Sequence, residues 1–268
     1  MKPLYILKIG GSVATFKDKP GFSIQTKLLE KIAKSIKKAL IQKDFDLILL
    51  HGAGAAGHQL AKIHNHKQGT LTEKSFKGAL QSRIVNQKLN LAIIELLNEQ
   101  KLNVMSIHTA SVITYNNNQL EKVNENIIKE SLRQNCIPVL YGEMVFDKKL
   151  GMAICSGDVI ASYLSKKFKA SKIFFASDID GIFNRDPHLN RNAKLIEKIK
   201  LSEIEQKSKI SKSHNIDTTG GLLGKVKNIA ESNHSKLETV EIFNGFNADN
   251  FEKVLLGRDF KHTQIILK

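Results

Sequence analysis

The chain has no tryptophan, only two cysteines and four prolines, and five arginines among its 41 basic residues. Each shortage excludes something. Cys136 and Cys155 make neither a zinc-ligand spacing nor a disulfide framework, so a reducing cytoplasm is the expected setting. No apolar run approaches the roughly 18 residues of a membrane span. The opening M-K-P-L-Y-I-L-K-I-G-G has no signal-peptide layout, and no membrane partner is expected. Scarce arginine argues against base-reading of nucleic acid, which prefers its planar fork. The formal charge of +15 is therefore read as a solvated lysine-rich surface, with a positive field that draws in phosphorylated small molecules and no nucleic-acid partner. G-x-x-x-x-G-K-[ST], H-R-D and D-F-G are also missing, which removes P-loop enzymes and protein kinases.

What the chain does have is a series of strands that discharge into glycine. Asp46 to His58 reads D-L-I-L-L-H-G-A-G-A-A-G-H. Leu47 to His51 forms a short buried strand, and the glycine- and alanine-only run after it ends at His58. A loop without side chains leaves backbone N–H groups bare for anions, phosphate above all. Taken alone, this stretch is equally a tight strand-to-helix turn. A second junction follows the strand Leu4 to Ile9: Gly10-Gly11-Ser12, with Lys8 at the strand's end and Lys17 in the next loop. Ser156-Gly157-Asp158 opens a helix, where Ser156 and Asp158 serve as caps or as ligand contacts. After the strand Lys172 to Ala176, Asp178 and Asp180 precede Gly181 and Phe183, which suits either a nucleotide and magnesium environment or an Asx-type turn. Gly220 and Gly221 precede a helix carrying Lys225, a third glycine junction.

Between these junctions the pattern alternates. Helical spacing covers Ile24 to Gln42, a short helix runs from His58 to Ile63, and Thr72 caps a long helix to Glu99. The inner face of that long helix is read as Phe76, Ala79, Leu80, Ile84, Val85, Leu89, Ala92, Ile93, Leu96 and Leu97; Phe76, Leu80 and Ile84, with Ile154, could equally line an apolar pocket. Further strands are expected at 104–107, 137–141, 195–199, 239–242 and 263–267, with hairpins around 116–118 and 148–151, and helices at 126–134, 156–168 and 248–256. A helical turn is expected at 202–206. The class is α/β, and the 268 residues are enough for one large domain or two small ones.

Glycine junctions at strand ends, lysines at Lys8, Lys17 and Lys225, and a carboxylate at Asp158 suit phosphoryl transfer, which needs alignment and charge neutralisation more than covalent help. In order, the segments K-I-G-G-S-V, H-G-A-G-A-A-G-H, S-G-D, S-D-I-D-G-I-F-N-R-D-P and D-T-T-G-G-L-L-G-K resemble those of the amino acid kinase superfamily. Within that superfamily, the histidine closing the second loop is most similar to the isopentenyl phosphate kinases, with fosfomycin kinase the nearest relative.

The resemblance implies a three-layer αβα sandwich around a mainly parallel sheet. It implies two lobes, 1–155 for the acceptor and 156–268 for ATP, and a homodimer. Lys8 and Lys17 would bridge the transferring group, with Gly10, Gly11 and Ser12 around the γ-phosphate and Asp158 orienting the lysines. Gly52, Ala53, Gly54, Gly57 and Gly157 would hold the acceptor side, and His58 would hydrogen-bond the acceptor's phosphate. Asp178, Asp180, Gly181, Phe183, Gly220, Gly221 and Lys225 would lie by the nucleotide. Magnesium would be held mainly by the phosphates of ATP. The implied reaction is phosphorylation of isopentenyl phosphate. The alternatives are another phosphate or phosphonate acceptor, fosfomycin-like, or a nucleotide-binding regulator without turnover. One departure stands out: Ala55-Ala56 replaces the Ser-Phe usual between the last two loop glycines.

Overall fold

The computed structural model describes residues 2–16, 22–63, 69–185, 187, 190–204 and 233–267, without the side chains of Ala56, His58 and Lys62. In chain order its first half runs β1 (Leu4–Ile9), α1 (Gly11–Ala14), α2 (Thr26–Gln42), β2 (Asp46–His51), α3 (Gly54–Ile63), α4 (Glu73–Glu99), β3 (Val104–Ser106), α5 (Thr109–Val112), β4 (Ile113–Asn116), β5 (Gln119–Val123), α6 (Asn126–Arg133) and β6 (Ile137–Tyr141). Next come β7 (Glu143–Asp147), β8 (Gly151–Cys155), α7 (Gly157–Phe168), β9 (Lys172–Ser177), β10 (Lys198–Lys200), β11 (Thr239–Asn244), α8 (Asp249–Leu256) and β12 (Thr263–Ile266).

β1 is buried from Tyr5 to Ile9, as a strand covered on both faces must be. It lies inside an eight-stranded sheet ordered β10-β12-β11-β9-β1-β2-β6-β3. Pairing is parallel from β11 through β9, β1, β2 and β6 to β3, and β12 runs antiparallel to β11. One face carries α2, part of α4 and α8, packed through Leu29, Ile36, Leu89 and Phe251. The other carries α6 and α7 through Ile128, Ile160 and Leu164. The result is the α/β sandwich of three layers. A four-stranded sheet, β5-β4-β7-β8, adjoins the β6 side.

From β1 the chain first builds outward through β2, and later returns to add β9 on β1's other side. The order therefore reverses at β1, and the C-terminal ends of β1, β2 and β9 converge where such sheets place ligands.

Three expectations need correction. α3 begins at Gly54, so the non-helical part of the second junction is only Gly52 and Ala53, and the helix does not wait for His58. Leu195 makes only an isolated bridge to Phe183, and the strand lies at Lys198–Lys200. On α4, Leu80 and Ile84 are exposed, whereas Ser82, Asn86 and Asn90 are buried beside Ala79, Leu89, Ile93, Leu96 and Leu97. Thr72 caps α4 as expected, accepting from the Ser75 N–H. The residues 201–204 are helical, and the remainder of the turn expected at 202–206 lies outside the described residues.

Candidate active site

The site starts from a steric fact about two neighbouring strands. β1 and β2 each end in glycine, and their loops touch backbone to backbone. A Cβ on Gly52 would lie 2.6 Å from the Gly11 nitrogen, and one on Gly11 would lie 2.7 Å from the Gly54 nitrogen. Gly10 is equally close to β9, since its Cβ would fall 2.6 Å from the Ala176 carbonyl oxygen, which already accepts the Gly10 N–H at 2.9 Å. Gly54 has φ of +71° and abuts Thr15, which explains glycine there. Thr15 joins the two junctions: its hydroxyl donates to the Gly11 carbonyl at 2.9 Å and accepts the Ala55 N–H at 2.8 Å. The opening N–H groups of a helix have no partners within it, so the start of α3, brought against the β1 loop, offers donors to an anion.

Lys8 enters this junction from below. It is only 9% exposed, because β1 is central, and is not the solvated edge charge that a lone strand lysine suggests. Its Nζ donates to Asp158 Oδ1 at 2.6 Å, from the first turn of α7, and lies 5.9 Å from the Phe175 ring centre. Its shaft crosses Gly157, where a Cβ would meet Lys8 Cε at 3.1 Å. Ser156 caps α7 by accepting the Val159 N–H at 3.2 Å, which fixes the turn carrying Asp158. Removed from bulk water, the pair is held by its mutual charge and geometry.

Beneath the second junction a buried polar network sets the backbone. His51 is fully buried, stacks on Tyr141 at 5.0 Å and donates Nδ1–H to the Gly52 carbonyl at 2.9 Å. Burial lowers its pKa from 6.5 to about 4, so the ring is neutral and its Nε2 is an acceptor. Asn90 Oδ1 lies 3.3 Å from Nε2 and its Nδ2 lies 2.6 Å from Ser106 Oγ; turning this amide end for end, which keeps both contacts, gives Nε2 the donor that a neutral ring needs. The Gly142 N–H donates to the His51 carbonyl at 3.0 Å, and Asn86 donates to the Gly142 carbonyl at 3.2 Å. Gly57 faces Asn86: a Cβ there would lie 2.7 Å from its Oδ1. Glu143 is buried, accepts the Ala110 N–H at 3.0 Å and pairs loosely with Arg83 at 3.3 Å; burial raises its pKa.

On the β9 side, Asp178 accepts from Ser177 at 3.2 Å and Asp180 from Asn244 at 2.9 Å. Gly181 lies where any Cβ would collide with Thr263, whose hydroxyl accepts the Ile182 N–H at 2.7 Å. The structure thus brings together Lys8, Gly10, Gly11, Ser12, Gly52, Ala53, Gly54, Gly57, Gly157 and Asp158, with Asp178, Asp180, Gly181 and Phe183 following β9 on the adjacent strand end. His58 lies in α3 by its backbone. Lys17, Gly220, Gly221 and Lys225 lie outside the described residues. Thr15, His51, Asn86, Asn90 and Gly142 were not singled out as site residues from sequence. Gly142, after a strand, repeats the junction pattern and carried a usable signal; the polar residues of α4 carried none.

A model of the amino acid kinase family matches residues 3–244. The chain belongs to the amino acid kinase family. It is 35% identical over 263 residues, 95% of each chain, to an isopentenyl phosphate kinase of Methanocaldococcus jannaschii. It is 28% identical, over 98% of each chain, to one of Methanothermobacter thermautotrophicus. Its fold matches a solved isopentenyl phosphate kinase with a TM-score of 0.82 at 25% identity, over 98% of this chain and 99% of that one. The mainly parallel sheet flanked by helices is thus the amino acid kinase fold, and the glycine junctions are its strand ends.

Two outcomes test this geometry. Gly52→Ala forces the two loops apart; we expect a loss of about 1–3 kcal/mol of stability and about a hundredfold of turnover, read by urea melts and steady-state rates. For His51, the unfolded chain binds a proton between pH 6.5 and about 4 that the folded chain refuses, so stability falls as pH drops through that window. The wild-type unfolding free energy should fall by about 2 kcal/mol more between pH 7 and pH 5 than that of His51→Asn. Equal pH dependence in the two proteins would remove the neutral-histidine assignment.

Proposed function

We propose that the chain transfers the γ-phosphoryl group of ATP to isopentenyl phosphate, giving isopentenyl diphosphate and ADP. The observation that carries the kinase reading is the Lys8–Asp158 pair, held at 2.6 Å where two glycine junctions meet. The similarity to isopentenyl phosphate kinases over 95% of the chain supports this acceptor.

The chemistry asks little of a base. A phosphomonoester has its second pKa near 6, so at pH 7 the attacking oxygen is already anionic. The new bond forms between that oxygen and the γ-phosphorus, and the bond from the γ-phosphorus to the bridging oxygen of ADP breaks. Lys8 offsets charge on the transferring oxygens, while Asp158 keeps its ammonium aimed at the junction. The N–H groups at the start of α3, other than that of Ala55 which Thr15 already accepts, hold the acceptor phosphate, and His58, one turn into α3, is its side-chain donor. ATP lies toward β9 and β11, the acceptor toward β2 and β6, so the lobes 1–155 and 156–268 divide at the sheet's point of reversal. Magnesium bound to the phosphates of ATP would offset their charge. It would be held mainly by those phosphates, since among the described residues no group of three or more His, Cys, Asp or Glu could hold a metal by itself.

A second reading keeps the chemistry and changes the acceptor to a phosphonate of fosfomycin type. The observation in its favour is polar: among the described residues Ser82 Oγ and Asn86 Oδ1 are buried without hydrogen-bond partners, and Asn86 faces Gly57. Ala55 and Ala56 also stand where an aromatic wall is usual in the resembled family.

A homodimer is part of the proposal. Leu80, Ile84 and Leu91 are 40%, 53% and 57% exposed. Their offsets of four and eleven residues place them within about 40° of one another on α4. That apolar stripe suits burial against the same helix of a second copy. The chain has a mass of 30.0 kDa, and the wild type should sediment at twice that mass, with Ile84→Lys/Leu91→Lys at the chain mass. A monomeric wild type would end this part of the proposal.

The activity test is a phosphate-transfer assay across isopentenyl phosphate, dimethylallyl phosphate, fosfomycin, acetylglutamate and uridylate. Isopentenyl phosphate should give the highest kcat/KM. Lys8→Met should lower kcat by about 10²–10³-fold with the fold intact, and His58→Ala should lower turnover of phosphate acceptors by at least about a hundredfold. Near-wild-type turnover in His58→Ala would remove that residue from the site, and preference for fosfomycin would favour the second reading.

A further inference from the structure

α2 buries Leu29, Ile32, Ala33, Ile36 and Ala39 against the sheet. Its outer side carries Lys27, Lys31, Lys34 and Lys38, all exposed. Offsets of four, seven and eleven residues place these lysines within about 60° of one another along about 16 Å of helix. They form one wall of a groove of about 1010 Å³ between α2 and the corner joining β11 to α8. Phe246, 46% exposed, stands on the opposite wall, and Phe16, Ile24 and Leu28 supply further apolar surface. Two acids temper the lysines: Glu30 pairs with Lys34 at 2.6 Å, and Asp249 also lines the groove. Phosphoryl transfer at the glycine junctions uses none of these residues.

A cationic wall beside an apolar surface selects an anion with a hydrocarbon body. Bare phosphate would leave the apolar part unused. Nucleic-acid recognition prefers arginine's planar fork, and among the described residues no arginine lines the groove. The groove also touches the catalytic loop through one side chain. Gln25, in its lining, donates to the carbonyls of Ser12 at 3.2 Å and Thr15 at 3.5 Å. Thr15 in turn holds the Ala55 N–H of the second junction.

We propose that this groove is a second binding site for an aliphatic diphosphate, and that its occupancy, felt through Gln25, lowers turnover without competing with the acceptor. The choice of an isoprenoid-like chain as probe rests on the isopentenyl phosphate reading; the groove's preference for amphipathic anions does not. The test is calorimetric titration of the full chain with geranyl diphosphate, in saturating isopentenyl phosphate. Binding should persist there, weaken at least tenfold in Lys27→Gln/Lys31→Gln, and exceed that of pyrophosphate and of geraniol by at least tenfold each. In wild type, geranyl diphosphate should lower kcat with KM for isopentenyl phosphate unchanged, and the double variant should keep its uninhibited rate while losing the inhibition. Loss of binding in saturating acceptor would place the probe in the acceptor site and overturn the proposal. Unchanged binding by the double variant, equal binding of pyrophosphate, or binding without any effect on kcat would also overturn it. Turnover of isopentenyl phosphate without the probe reports separately on the parent reading.

Discussion

The structure depends on two adjacent parallel strands that end without side chains. Gly11 and Gly52 let the loops beyond β1 and β2 pack backbone against backbone, at a separation that a Cβ would forbid by several tenths of an ångström. This contact turns two separate glycine turns into one surface of amides. Parallel pairing sets it up, since β1 and β2 keep register from Leu4–Asp46 to Ile9–His51 and so finish together. Gly10 extends the same closeness to β9. A sheet whose strand order reverses at β1 brings these three ends together, and phosphoryl transfer requires such a meeting of donor and acceptor.

Everything else in the site holds that surface in place. Thr15 ties one loop to the other, and His51 ties the second loop to Tyr141 and Asn90 below it. Buried polar groups of this kind are costly unless satisfied, and once satisfied they rigidify what they hold. A neutral His51 fits that role, since a charged ring so deeply buried would have to shed its proton. Lys8 and Asp158 then form a part-buried ion pair at the junction, and each restrains the other where an unpaired charge would be expelled toward solvent.

Much of this was legible in the residues. Strand-to-glycine junctions, the helix caps Thr72 and Ser156, and most strand positions follow from local chemistry that the chain cannot hide. The burial of Lys8 was not legible, because a strand's place in the sheet depends on pairings distant in sequence. Nor was the start of α3 at Gly54, since glycine and alanine fit a turn and a helix alike until Thr15 fixes the Ala55 amide. On α4 the difficulty was different. Leu80, Ile84 and Leu91 form one apolar stripe, and Ala79, Leu89 and Ile93 another, so periodicity cannot say which faces inward. The inward turns near the site carry Ser82 and Asn86, polar residues that spacing alone assigns to solvent.

That reversal on α4 bears on what the two faces of the helix are for. A helix 27 residues long cannot satisfy both faces against one sheet, and its N-terminal half runs beside β7 and β8 instead of the central strands. There Ala79 meets Met144 and Met152, small against adaptable side chains, close to the buried amide of Asn86. An acceptor fixed by its phosphate at the start of α3 would extend toward this region, because Gly57 and Asn86 adjoin it. On the proposed function, the phosphate end of the site would be set by backbone amides and His58, which any phosphorylated acceptor can use. The far end would then be set by side chains that combine two methionines with hydroxyl and amide oxygens that have no hydrogen-bond partner among the described residues. On that proposal, discrimination among phosphorylated acceptors would arise on α4 and the β7–β8 hairpin, with the glycine junctions contributing binding common to all of them.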